Sequence, residues 1–249
     1  MTNDKVWAND KVWANDKVLG VLGGMGPLAS AQFMLRLTLL TPAARDQDHI
    51  PAVLWSDPRI PDRMAAKYQG GEDPMPALLR GIHGLEAAGC GAIVIPCNTA
   101  HGWYDALRAA TALPIPHIVD AVAQDLVRQG IATGKIGVMG TAATLRMRLY
   151  QDRLEALGYT CITPDADAMD RAVSPAIALV KANNVADSYA PALSAARALM
   201  DRGAVAVVLG CTELPLAVQA GPAPDFPMAD SIDALARAAI AWARPSNPG

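Results

Sequence analysis

Short apolar runs alternate with longer amphipathic stretches along almost the whole chain. The short runs are rich in Val, Ile and Leu and have the length of buried strands, whereas the longer stretches repeat their apolar residues every three or four positions, as helices do. This pattern predicts strands at 18–22, 52–56, 92–96, 135–139, 159–162 and 205–209. It predicts helices at 28–40, 74–88, 121–129, 144–157, 189–202 and 231–243.

Glycine follows four of the predicted helices directly, at Gly89, Gly130, Gly158 and Gly203. A glycine at this position commonly ends a helix, because it adopts the left-handed conformation without a steric penalty. Strands that are apolar throughout and separated by helices are typical of a parallel sheet covered on both faces. The predicted fold class is therefore α/β.

Three segments of the first half resemble segments of the second half, in the same order and at a nearly constant offset: 20–24 resembles 137–141, 92–99 resembles 206–213, and 114–121 resembles 224–231. The repeat predicts two similar lobes, related by an approximate two-fold axis, with the active site in the cleft between them. We expect the first lobe at 17–114 and the second at 115–227, with 228–249 packing back on the first. Residues 1–16 carry a duplicated polar NDKVWA motif to which we assign no function.

Composition narrows the classes of function. The chain has 249 residues, of which 52% are hydrophobic and 18% charged, and its net charge is −3. These values favour a globular protein and argue against a nucleic-acid or anionic-membrane partner. Apolar runs are too short to span a membrane and the first residues are polar, so we expect a cytoplasmic protein whose four cysteines are reduced thiols.

Two cysteines occupy equivalent places in the repeat. Cys97 and Cys211 each follow a predicted strand and precede a predicted helix start, which is where parallel sheets bind ligands. Backbone N–H groups at a helix start favour a thiolate. A thiolate on one side of a carbon centre and a thiol on the other could remove a proton and return one to the opposite face. An inert buried cysteine is the alternative for each thiol alone, and we interpret Cys90 and Cys161 in that way.

The glycines at 24–29 fit the dinucleotide fingerprint GxGxxA only weakly, because no acidic residue follows at the spacing that ribose binding requires. We interpret this turn, with Met25 and Gly26, as a close backbone approach to a small anionic ligand. A dehydrogenase therefore remains a distant alternative.

Four motifs together resemble the aspartate/glutamate racemase family, most closely its aspartate branch: GGMGP at 23–27, IPDR at 60–63, CNTAH at 97–101 and GCTEL at 210–214. The resemblance covers about 18–243. It implies a two-lobed α/β enzyme, usually a homodimer, that needs no cofactor and no metal and acts on a small acidic amino acid with paired thiols.

The resemblance also implies roles for individual residues. Cys97 and Cys211 match the catalytic thiols, with Cys97 facing the proton of the D-enantiomer and Cys211 that of the L-enantiomer. The needs of the reaction, apart from the resemblance, make Glu213 and His101 candidates for moving protons; the alternatives are that Glu213 caps a helix and that His101 is a hydrogen-bonded structural residue on the following helix. The expected substrate contacts are Met25, Gly26, Arg63, Asn98, Thr99, Thr141, Thr144, Lys181, Thr212 and Glu213.

The predicted function is interconversion of L- and D-aspartate. Glutamate or a broader set of acidic amino acids is the nearest alternative, since one methylene in a pocket discriminates by only about 1–3 kcal/mol. Maleate isomerase, hydantoin racemase and arylmalonate decarboxylase activities belong to the same fold, and the last uses a single thiol. A non-catalytic dicarboxylate-binding protein is the alternative from a different class.

Overall fold

The computed structural model describes residues 17–244, so the duplicated segment 1–16 and the last five residues of the predicted 228–249 segment lie outside the described residues. It contains two parallel sheets, with strand orders β2-β1-β3 and β5-β4-β6-β7. The strands are β1 Leu19–Gly23, β2 Ala52–Ser56, β3 Ala92–Val94, β4 Gly134–Gly140, β5 Tyr159–Ile162, β6 Ala206–Gly210 and β7 Met228–Asp230. The α/β prediction is confirmed.

Helices connect the strands and cover both sheets. In the first half they are α1 Pro27–Leu40, α2 Arg63–Tyr68, α3 Met75–Ala87, α4 Tyr104–Ala109 and α5 Ile118–Arg128. In the second half they are α6 Ala142–Arg146, α7 Leu149–Ala156, α8 Ala166–Ala168, α9 Ser174–Lys181, α10 Val185–Asp201, α11 Leu214–Gln219 and α12 Ser231–Ala243.

The two sheets repeat one arrangement. In the first, β1 lies between β2 and β3, with Leu19 paired to Ala52 on one side and to Ala92 on the other. In the second, β4 lies in the same way between β5 and β6, with Ile136 paired to Ala206. The repeat in the sequence is therefore a repeat of strand order.

One buried apolar cluster includes residues of both sheets, among them Val21 on β1 and Val138 on β4. Helix α12 contributes Leu235 to this cluster and contacts both α1 and α5. A bidentate ion pair between Arg36 on α1 and Asp233 on α12 joins these two helices, and its shortest N–O distance is 2.5 Å.

The structure corrects one detail of the expected boundaries. We expected 228–249 to belong with the first lobe, but β7 pairs with β6 and is part of the second sheet. Within the described residues, the segment that reaches α1 is therefore α12. The division at residue 114 stays a prediction.

The helix predicted at 144–157 is two helices, α6 and α7. Arg148 separates them with a left-handed φ of 54°, which a continuous helix does not contain. The glycine signals are confirmed, since Gly89, Gly130, Gly158 and Gly203 all have φ between 77° and 90°. No helix among residues 17–244 is long and apolar enough to cross a membrane.

Candidate active site

A cavity of about 240 Å³ lies where the carboxyl ends of the two sheets face each other. Both halves of the chain line it, which agrees with a site between similar units. Ten predicted site residues contribute to its wall: Met25, Arg63, Cys97, Asn98, Thr99, Thr141, Lys181, Cys211, Thr212 and Glu213.

Both predicted catalytic thiols lie at this cavity, each just beyond a strand. Cys97 follows β3 after a turn in which its own N–H donates to the carbonyl of Ile95 at 2.8 Å. Cys211 follows β6 directly, and its carbonyl accepts from the N–H of Leu214 at the start of α11 at 3.0 Å. Each cysteine is only 5% exposed, so ligand chemistry here would be shielded from bulk water.

Cys211 is held as a thiol by its neighbour. Its Sγ donates to Oε2 of Glu213 at 2.9 Å, and the hydroxyl of Thr212 donates to the same oxygen at 3.3 Å. Burial first, and then the Glu213 carboxylate, raise the pKa of Cys211 well above its usual range. The expectation that a helix start would favour a thiolate is therefore wrong for Cys211, because desolvation and a like charge outweigh the helix start.

His101 supports the Cys97 turn and does not line the cavity. Its Nδ1 lies 3.0 Å from the carbonyl of Cys97, while its Nε2 accepts from the backbone N–H of Ile118 at 3.2 Å. Nδ1 therefore carries the proton and donates. Burial lowers the pKa of His101 to about 4, so the ring is neutral near pH 7. Both ring nitrogens of His101 therefore bond to backbone groups, and the side chain stabilises the turn that carries Cys97.

Three threonine hydroxyls form a closed set across the two halves. Thr99 lies 3.0 Å from Thr141 and 3.0 Å from Thr144, and the last two are 2.9 Å apart. Thr99 and Thr141 face the cavity, whereas Thr144 is fully buried behind them. We expected Thr144 to contact the ligand, but its position makes it a support for the other two hydroxyls.

Asn98 is fixed by residues of the second half. Its Oδ1 accepts from the phenol of Tyr150 at 2.6 Å, and its Nδ2 donates to the hydroxyl of Ser231 at 3.1 Å. One of the two amide hydrogens remains available, and Asn98 lines the cavity. The amide therefore combines a locked orientation with a free donor.

Two cationic side chains border the cavity. Arg63 begins α2, which Asp62 caps, and its guanidinium donates to the carbonyls of Ile60, Pro61 and Met25. Lys181 is the last residue of α9. Among the described residues neither cation has a carboxylate within ion-pair distance. The site therefore presents positive charge that a ligand carboxylate could neutralise.

A second cavity, of about 450 Å³, adjoins the first. The two share Asp62, Arg63, Lys181 and Glu213. Gly26, which we expected at the substrate, lines this second cavity instead of the one that holds the thiols.

The sequence analysis missed part of the wall: Asp62, Met64, Ala142, Ser174, Ile177 and Ala178. Ser174-Pro175 is a helix-start signal that could have located α9, which presents three of these residues. The other two cysteines lie outside both cavities. Burial raises the pKa of Cys90, and raises that of Cys161 to about 11, as suits structural thiols.

Comparison with known proteins agrees with this architecture. The chain is 31% identical to the aspartate racemase of Picrophilus torridus, with a TM-score of 0.79 over 91% of this chain and 94% of that one. It is 27% identical to the broad specificity amino-acid racemase RacX of Bacillus subtilis over 90% of this chain and 96% of RacX. The glutamate racemase of Francisella tularensis, solved with D-glutamate, shares the fold, with 16% identity and a TM-score of 0.66 over 91% of this chain and 81% of that one.

The family model described as Asp/Glu/Hydantoin racemase matches residues 22–239. This match begins inside β1, covers the other six strands and includes every residue that lines the two cavities. The chain belongs to the Asp/Glu/hydantoin racemase family.

Proposed function

We propose that the protein interconverts L- and D-aspartate by a two-base mechanism in which Cys97 and Cys211 exchange the α-proton without a cofactor. The observation that carries this proposal is the position of both thiols at one cavity, each beyond the end of a strand in a different sheet. A ligand between them would have one sulfur near each face.

The reaction has two proton transfers. A thiolate forms an S–H bond as the Cα–H bond breaks, and the electron pair passes into the α-carboxylate as an enolate. The opposite thiol then gives its proton to the other face of Cα. In the state described here Cys211 is the thiol and hydrogen-bonds to Glu213, so this state suits removal of the proton on the Cys97 side.

The enolate intermediate needs strong stabilisation, because an amino-acid α-proton is a very weak acid. Fixed hydrogen-bond donors aimed at developing negative charge are among the largest contributions to catalysis. The free amide hydrogen of Asn98 is such a donor at the cavity wall. The hydroxyls of Thr99 and Thr212 also line the cavity, and each would have to turn from its present partner to donate to a ligand. We assign the α-carboxylate to this side of the cavity.

A second carboxylate on the substrate would account for the two cationic side chains at the cavity wall, Arg63 and Lys181. Arg63 and Lys181 face the cavity from α2 and α9, beside the exposed Asp62 and the buried Glu213. Neither cation forms an ion pair within residues 17–244, so the side-chain carboxylate of aspartate would give them a partner that a monocarboxylic amino acid lacks. The likeness to the Picrophilus aspartate racemase supports the same substrate.

Glutamate or a broader range of amino acids is the second candidate. The second cavity continues past Arg63 and Lys181 and offers space for a longer side chain. The broad specificity of RacX points in the same direction. A homodimer, a cytoplasmic location and the lobe division at residue 114 remain predictions that the family resemblance or the sequence pattern implies.

The decisive experiment is α-hydrogen exchange. We expect the purified protein, with no cofactor added, to incorporate deuterium at Cα of L- or D-aspartate in D₂O and to converge on an equal mixture. Cys97→Ala and Cys211→Ala should each lower the rate of racemisation by at least about 100-fold, because one base cannot serve both faces. Chiral chromatography and NMR measure the two quantities.

Cys161→Ala is the matched control, since Cys161 lies outside both cavities, and its racemisation rate should equal that of the wild type. A panel with glutamate and other acidic amino acids separates the substrate candidates. Tight binding of aspartate without exchange would select the dicarboxylate-binding alternative. Absence of exchange with every amino acid tested would refute the proposal.

A further inference from the structure

Glu213 connects the thiol cavity to the second cavity. It is 97% buried, and it lines both cavities. Its Oε2 accepts a hydrogen bond from the thiol of Cys211, while its Oε1 is buried and has no hydrogen-bond partner among the described residues. Oε1 lies on the side of Gly26, 3.4 Å from the point where a side chain there would begin. Gly26 lines the second cavity only, so Oε1 lies on the side of that cavity while Oε2 lies beside Cys211.

The second cavity is open to solvent. Five residues of its wall are exposed: Pro27, Pro58, Asp62, Lys181 and Asn183. A buried carboxylate oxygen without a hydrogen bond is destabilising. Oε1 is itself shielded from solvent, so a turn of the carboxyl group or a shift of the cavity wall must bring it to water. Glu213 therefore has a catalytic thiol on one side and a solvent-accessible cavity on the other.

This arrangement meets a need of the proposed two-thiol reaction. Each turnover leaves the enzyme with its protons exchanged: if Cys97 starts as the thiolate and Cys211 as the thiol, the reaction ends with a thiol at Cys97 and a thiolate at Cys211. Before the same enantiomer can react again, Cys211 must regain a proton and Cys97 must lose one. A buried thiol exchanges protons slowly without a relay.

We infer that Glu213 is a further catalytic residue, which reloads Cys211 by passing protons between its sulfur and water in the second cavity. The inference rests on the proposed racemase function. Glu213 contacts the reacting sulfur of Cys211 through Oε2. The absence of a hydrogen bond at its other oxygen, Oε1, among the described residues is the feature that suggests the relay.

The relay conserves protons and charge. In the reloading direction an O–H bond of a water molecule in the second cavity breaks, its proton bonds to Oε1, and the hydroxide left behind is neutralised in solvent by the proton that Cys97 releases. The carboxyl group then turns about its Cγ–Cδ bond to bring the proton beside Cys211. The O–H bond then breaks as the S–H bond forms, which restores the carboxylate. The reverse sequence unloads Cys211.

The charges around Glu213 favour a shared proton. A thiolate at Cys211 beside an ionised Glu213 would place two negative charges in a buried site, which is costly. Loss of the proton from Cys211 to substrate therefore draws a proton onto Glu213. Lys181 and Arg63 border both cavities and stabilise the carboxylate once it is restored.

Glu213→Gln tests the relay, because the amide keeps the shape but passes no proton. We expect kcat to fall about 100-fold. The kcat/KM should change little, because at low substrate concentration the free forms have time to equilibrate. The isotope effect of α-deuterated aspartate on kcat should approach unity as reloading becomes limiting. Imidazole, a small proton carrier that the second cavity admits, should restore part of kcat.

Two further variants complete the design. Glu155→Gln removes an exposed carboxylate on α7 and should leave kcat unchanged. Glu213→Asp keeps an acid but shortens the relay, so it should show a smaller loss of kcat and the same rescue by imidazole. If circular dichroism shows that Glu213→Gln does not fold, the aspartate variant carries the test.

Equal losses in kcat and kcat/KM with a retained isotope effect would overturn the inference, because Glu213 would then act in the proton transfer at carbon. An unchanged kcat would overturn it too, by showing another route for the proton. Both results leave the racemase function intact. Failure of the wild-type protein to exchange any α-hydrogen would instead remove the proposed function, and this inference with it.

Discussion

The contact between Cys211 and Glu213 sets the chemistry of the cavity at the scale of single residues. The sequence places both residues in the GCTEL motif, and both reach the cavity as expected. The direction of the pKa shift could not be predicted in this way, because it depends on how deeply the sulfur is buried and on which carboxylate oxygen faces it. Local sequence indicates a helix start and therefore suggests the opposite direction.

This shift predicts how Cys211 reacts with alkylating reagents. Only the thiolate reacts with iodoacetamide, and the raised pKa keeps Cys211 protonated around pH 7–8, so modification should be slow there and accelerate at higher pH. Glu213→Gln removes one cause of the raised pKa, so its Cys211 should be alkylated faster at each pH, about tenfold per unit by which the pKa falls. Peptide mapping by mass spectrometry follows each cysteine separately.

Identical rates for Cys211 in the wild type and in Glu213→Gln would show that the carboxylate does not control the thiol. Cys90 provides an internal reference, since burial raises its pKa and it lies outside both cavities. Its alkylation rate should be the same in the two proteins.

At the scale of elements, the apolar runs predicted the first six strands, because a buried parallel strand needs apolar side chains on both faces. Helix α9 and the break between α6 and α7 were not predicted. Arg148 adopts its left-handed conformation where the pattern continues unbroken, and non-local packing decides such a break. Since α9 carries Lys181 and half of the missed wall, the incomplete site follows from a missed helix.

The contact between α1 and α12 predicts how a substitution between these helices changes the stability of the protein. Arg36 and Asp233 are each at least three-quarters buried and share two hydrogen bonds. Asp233→Asn should lower the free energy of unfolding by about 1–3 kcal/mol, because the guanidinium loses its charged partner. Urea denaturation measures the change. Asp167→Asn is the control, because its pair with Arg171 is exposed and should contribute nothing measurable. Equal effects of the two variants would contradict the assigned role.

At the scale of the whole molecule, the repeat in the sequence predicted two similar sheets, and the strand orders agree with it. We expected the C-terminal segment to pack back on the first half, and α12 contacts α1. The repeat did not predict the individual side-chain contacts that join the halves. Tyr150 and Ser231 fix Asn98 from across the cleft, and α12 contacts helices on both sides. Such contacts depend on packing between distant segments.

The duplicated NDKVWA segment gives a prediction for the complete chain. Every residue of the two cavities lies between positions 24 and 213, and the family match begins at residue 22. Deletion of residues 3–14 should therefore leave racemisation and the melting temperature unchanged. Chiral chromatography and differential scanning calorimetry check this expectation. A large loss of either quantity would give the segment a function that we have not assigned.

Helix α12 also has a consequence for synthesis of the protein. Because translation produces α12 after every other element that the structure describes, a nascent chain that still lacks it exposes apolar faces of α1 and α5 and leaves Arg36 without its partner. The helices that α12 covers therefore complete their packing only after α12 emerges from the ribosome. A stop codon ahead of position 231 would remove α12, and with it the Ser231 hydroxyl that holds Asn98, while sparing every residue that lines the two cavities. The product would be a target for chaperones and proteases.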